Sequence, residues 1–139
     1  MMLLWLEIVA AGSSFICTPS AVWDGDGPIW CVEGPKIRLA GVAAREIDGS
    51  CRPGHPCPSS SGLAARDELV RILGGPRGYT STGHVRVVAS PLTCYSDGSA
   101  GGSRTAAWCR TLSGIDLNCA MVASRRATRW ERYWRGHKC

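Results

Sequence analysis

Apolar and polar residues alternate along three closely spaced segments in the first third of the chain. Ser20-Ala21-Val22-Trp23 and Pro28-Ile29-Trp30-Cys31-Val32 flank the turn Asp24-Gly25-Asp26-Gly27. Asp-Gly between apolar runs predicts a hairpin, because glycine adopts the positive φ that a tight turn needs. Gly34-Pro35 predicts a second turn. Lys36 to Val42 then reads as a third strand, with Ile37, Leu39 and Gly41 alternating against Lys36, Arg38 and Ala40. Ile47 to Ser61 is a loop rich in Pro, Gly and Ser. It leads into a helix that Ser60 or Ser61 caps, with Leu63, Leu69, Val70 and Leu73 on one face. Asp67 and Arg71 can pair on its outer side, and Gly74-Gly75-Pro76 stops it. His84 to Ala89 predicts a strand with Val85, Val87 and Ala89 inward. Ser96 to Ser103 carries little side-chain bulk and predicts a mobile tip. Arg104 opens the next strand, through Ala106, Trp108 and Arg110. Asp116 caps a helix bearing Leu117, Ala120 and Met121, and a short helix follows in the tail.

This order predicts an α+β, mainly β fold. Small antiparallel sheets avoid open edges by closing, so the expected architecture is a five-stranded OB-fold barrel with two to three helices. A chain of 139 residues without visible repeats suits one domain with one core.

Composition narrows the class. The net charge is +5, carried mostly by arginine, whose planar fork matches phosphate. Eight cysteines in so short a chain, with no Cys-x2-Cys pair, favour a disulfide framework over a zinc site and an oxidising compartment, periplasmic or extracellular. Only His55 lies between close cysteines. Cys51 and Cys57 flank one loop, and Cys94 and Cys109 fall on neighbouring strands. Cys17–Cys31 and Cys119–Cys139 would use the rest, one arrangement among several. Met1 to Phe15 is apolar but too short to span a membrane, so no stable membrane insertion is expected. Residues 1–16 are read as an export leader and 17–139 as the domain. The leader lacks a basic start and is interrupted by Glu7, so the cysteines carry the expectation of a secreted protein.

The run Val22-Trp23-Asp24-Gly25-Asp26-Gly27, followed by Ile37-Arg38-Leu39-Ala40-Gly41-Val42-Ala43-Ala44-Arg45-Glu46, resembles the core motif of the staphylococcal nuclease (thermonuclease) family. That motif is a VxDGDT-like turn followed by an IRLxGIDxPE-like strand. Arg104-Thr105-Ala106-Ala107-Trp108, Gly114-Ile115-Asp116-Leu117-Asn118, Met121-Val122 and Ala127 resemble its second half. The likeness spans Val22 to the C-terminal helix. It implies an OB-fold nuclease of DNA or RNA with little sequence specificity, expected to be a monomer. By the same resemblance Arg38, Arg104 and Glu46 carry the chemistry. A calcium ion would be held by Asp26, with Asp24 beside it and the backbone carbonyl of Ala44. Two guanidinium groups offset the charge that builds on a phosphoryl centre, and a carboxylate aims or deprotonates the attacking water.

The sequence departs from the motif at the metal. Ala43 stands for the strand-end aspartate, Ala44 for threonine, Arg45 for proline and Gly27 for threonine. Calcium affinity follows ligand charge and number, so the Ca2+ site is expected to be weak or lost. Gly-Ser-rich chain replaces the family's DRYG before Arg104. The alternative is a catalytically impaired OB module that binds nucleic acid or another polyanion. The tail's Arg129, Trp130, Arg132, Tyr133, Trp134 and Arg135 suit either stacking on nucleic acid or a packed capping helix.

Overall fold

The three alternating segments form a meander. The computed structural model describes residues 8–139. Its elements are β1 (Ser14–Cys17), β2 (Pro19–Asp24), β3 (Gly27–Cys31), β4 (Lys36–Leu39), β5 (Val42–Ala43), α1 (Gly62–Ile72), β6 (Val85–Arg86), β7 (Leu92–Ser99), β8 (Arg104–Arg110), α2 (Leu117–Ala123), β9 (Thr128–Arg129) and α3 (Glu131–Trp134). The fold is therefore α+β, mainly β.

Seven strands form one mixed sheet in the order β1-β7-β8-β4-β3-β2-β6, and β5 pairs with β9. Only β4 and β8 run parallel; the other pairs are antiparallel. The expected five-stranded closed barrel is not what the ladder forms, since its end strands β1 and β6 do not pair with each other. Two features hid this. Ser96 to Ser99 extends β7 instead of forming a loose tip, with a bulge between Ser96 and Gly98. A ladder joins backbone groups, so small side chains do not prevent it. Ser14–Cys17 adds a strand upstream of the meander, on the far side of β7. Residues 1–7 of the expected leader lie outside the described residues, and Ile16 and Cys17 fall within β1. Among the described residues no helix is long and apolar enough to cross a membrane.

Alternation sorts each strand's side chains. Val22, Ile29, Ile37 and Thr105 share one cross-strand row and are fully buried, with Val85 joining them at the β6 end. Helix α1 covers this core with Ala65, Leu69 and Val70, joined by Leu73 at its C-cap. Burying each such aliphatic side chain stabilises the fold by about 1.5–3 kcal/mol. Ser61 caps α1 by accepting from the Ala64 amide. Two expectations about α1 are corrected. Leu63 stays exposed, because Gly62 and Ala65 take the inner positions of that turn. Arg71 pairs with Glu68 at 2.8 Å rather than with Asp67, which faces Arg66. Asp116 caps α2 by accepting from the Cys119 amide at 2.9 Å.

Buried Asn118 stitches the parallel pair together. Its side chain accepts from the Cys109 amide and donates to the carbonyls of Ala40 and Ala107 at 2.9 and 3.1 Å. Four disulfides, Cys17–Cys31, Cys51–Cys57, Cys94–Cys109 and Cys119–Cys139, use all eight cysteines and match the pairing set out above.

Candidate active site

Register alone brings the two motif arginines together. In the parallel β4–β8 ladder Lys36 faces Arg104 and Arg38 faces Ala106, while Ile37 and Thr105 are buried between them. Arg38 and Arg104 therefore emerge on the same, outward face, one diagonal step apart. The β2–β3 turn brings Asp24 and Asp26 to the edge of that face, and the chain leaving β5 brings Glu46. All five residues line one cleft of about 390 Å3.

Glycines fix this geometry. Gly27 has a φ of +113°, and a Cβ there would collide with the Ile37 carbonyl. This is a physical reason for glycine where the resembling family has threonine. Gly62 lies against the backbone carbonyl of Glu46, where a Cβ would clash outright, so the start of α1 sets the position of Glu46.

Within the cleft Asp26 is the hub. Its Oδ2 accepts from the Arg38 guanidinium at 3.2 Å and from the Ala44 amide at 3.2 Å. Arg38 also donates to the Leu39 carbonyl, and its guanidinium lies 5.5 Å over the Trp130 ring. Asp24 is buried and accepts from the Asp26 amide. Burial first, then the neighbouring Asp26 and Glu46 carboxylates, push its carboxyl far above the usual range, so it holds a proton at neutral pH. Arg104 is anchored by the carbonyls of Ala100 and Gly101, the tip that the sequence suggested was loose.

Sequence reasoning missed part of the wall. The Cys51–Cys57 loop carries Arg52, whose Nε lies 3.1 Å from Glu46 Oε1, and His55, whose ring packs 4.3 Å from Trp130. Burial, then the charges of Arg38 and Arg52, lower the His55 pKa. Trp130, Tyr133 and Arg135 of the tail line the cleft, while Trp134 is buried as the packed-helix reading expects. The small cysteine loop just after Glu46 was the signal that could have located Arg52 and His55.

The donor set does not fit a resident calcium ion. Calcium takes about six to eight oxygens, several of them charged. Here Arg38 and the Ala44 amide already hold Asp26 Oδ2, Asp24 is buried with its Oδ1 on the Asp26 amide, and buried Ala43 offers only a methyl. Ala44 reaches Asp26 through its amide N–H. Among the described residues the one cluster of three candidate metal ligands is elsewhere, at Asp116, Cys119 and His137, and its cysteine is tied up in a disulfide.

Comparison of the chain with protein-family models, curated proteins and solved structures gives no match.

Proposed function

We propose that this protein is an exported phosphodiester hydrolase of the staphylococcal nuclease type, acting as a monomer on DNA or RNA. The observation that carries this reading is the shared cleft in which Asp26, Arg38 and Glu46 of the first motif meet Arg104 from a strand distant in sequence. We infer an OB-type frame beneath it, with the sheet left open between its end strands β1 and β6. Only Thr18 separates β1 from β2, so the two act as one bent strand that joins β7 on one side to β3 on the other. Four disulfides suit an oxidising compartment.

In the proposed reaction Arg38 and Arg104 grip the scissile phosphate and offset the negative charge that grows on its oxygens. Glu46, aimed by Arg52, takes a proton from the attacking water. A new P–O bond forms as the ester P–O bond breaks, and the leaving oxygen takes up a solvent proton. Asp26 acts as a positioning residue for Arg38. Calcium binding at this cleft should be roughly millimolar or weaker.

One observation favours the alternative, a catalytically impaired module that binds nucleic acid. Arg38 and Glu46 are each already paired, with Asp26 and Arg52, and substrate must displace or share these partners. Cleavage of plasmid and of single-stranded RNA by the purified oxidised protein, with calcium and with chelator, decides between the two. The hydrolase reading expects cleavage that Glu46→Gln and Arg38→Ala each reduce at least a hundredfold. Folded protein that binds both substrates and cleaves neither would establish the alternative.

A further inference from the structure

The register that places Arg38 and Arg104 continues across the sheet. Arg86, Ala21, Trp30, Lys36 and Arg104 are successive cross-strand partners from β6 to β8. They occupy the face opposite the buried Val85, Val22, Ile29, Ile37 and Thr105. Two residues along each strand, His84, Trp23, Pro28, Arg38 and Ala106 form a second outward row. These ten positions hold four arginines and lysines and no carboxylate. Ala21 in the first row is buried, whereas Trp30, Lys36, Trp23 and His84 around it stay partly exposed.

Those groups form a continuous surface. The His84 ring lies 4.0 Å from Trp30 and 4.9 Å from Trp23, and Lys36 Nζ sits 5.3 Å over the Trp30 ring. All four residues are half-buried, and Trp23 also lines the cleft. Thr82 Oγ1, 2.8 Å from His84 Nδ1, fixes the ring. Burial, then the charge of Lys36, lowers the His84 pKa, which keeps the imidazole neutral for stacking at pH 7.

We propose that this outward face is a stacking platform for single-stranded nucleic acid, with bases against Trp30, His84 and Trp23 and phosphates along Lys36, Arg86 and Arg104, leading the strand into the cleft. The proposal rests on the nuclease reading and extends it to a substrate class. Unpaired bases fit because they expose a π-face, whereas a duplex hides its bases and presents only its backbone. The cations on the same rows supply the sequence-independent part of the affinity.

The test compares a dinucleotide, which the cleft alone accommodates, with an oligothymidylate of about twelve nucleotides, which also reaches the platform. Binding is followed by fluorescence anisotropy, in the Glu46→Gln background with chelator to prevent cleavage. Trp30→Ala should weaken the longer oligomer on the order of tenfold or more and leave the dinucleotide unchanged, with Trp30→Phe restoring most of the loss. Lys36→Glu, a surface change that spares folding, should act in the same direction. The platform is refuted, with the cleft intact, if both ligands bind but neither Trp30→Ala nor Lys36→Glu separates them. A duplex of the same length binding as tightly would also refute it. Failure of both single-stranded ligands to bind the unmodified protein would instead remove the nuclease reading beneath it.

Discussion

At the scale of single residues, buried polar groups carry the sharpest expectations. Asn118 satisfies three backbone groups that otherwise have no water to turn to. Asn118→Ala should therefore cost on the order of 3 kcal/mol, read as a lowered urea midpoint. Ala43 is buried and paired with Thr128. Ala43→Asp places a carboxylate in a buried position, next in sequence to the Ala44 amide that holds Asp26. It should therefore lower the melting temperature in chelator, and added calcium should recover it if the new group reaches the cleft. No recovery in calcium would mean that restoring this ligand charge does not create a calcium site. Arg38, Glu46 and Arg104 were legible as a set because their motif spacing is specific. Arg52 and His55 were not, because neither belongs to a periodic pattern and only the Cys51–Cys57 closure aims them inward.

At the scale of elements, packing at helix ends controls the cleft and the tail. Gly62 opens α1 against the Glu46 carbonyl. Alanine there would ordinarily favour a helix, but its Cβ has no room. Gly62→Ala should thus lower both stability and any cleavage rate, with the rate falling more than tenfold as Glu46 shifts. Asp116 caps α2, and its other oxygen lies 2.6 Å from His137 Nε2. Asp116→Ala should cost about 1–2 kcal/mol and loosen the tail, which chemical denaturation and hydrogen exchange of residues after Trp134 would register. The strand at Leu92–Ser99 was only half legible. Only the placing of Cys94 on a strand beside Cys109 pointed to it, while the strand expected over His84 to Ala89 shrinks to Val85–Arg86. The Ser-Gly end of β7 pairs through backbone groups that leave no mark in the hydropathy pattern.

At the scale of the whole molecule, charge and cross-links set how stability responds to conditions. His84 and His55 both have pKa values below the usual 6.5 in the folded protein. The unfolded chain therefore binds their protons first as pH falls. The stability they permit is full above about pH 6.5 and declines as pH drops through and below that value. Thermal melts should show this fall, and His84→Gln should flatten part of it. An unchanged slope in that variant would show that His84 is not strongly depressed. Denatured but unreduced protein should show no free thiol. The sequence by itself determined the meander, both main helices with their caps, the cysteine framework and the motif arginines and carboxylates that meet in the cleft. These follow from local periodicity, turn chemistry and motif spacing, which act over a few residues. Tertiary structure decided the seven-stranded ladder, the pairing of Arg38 with Asp26 and of Glu46 with Arg52, and the outward rows of rings and cations. The ladder, the reach of Arg38 to Asp26 and the outward rows depend on which strand lies beside which. A one-residue change of register would send their strand side chains to the other face, whereas Glu46 meets Arg52 through the loop that Cys51–Cys57 closes.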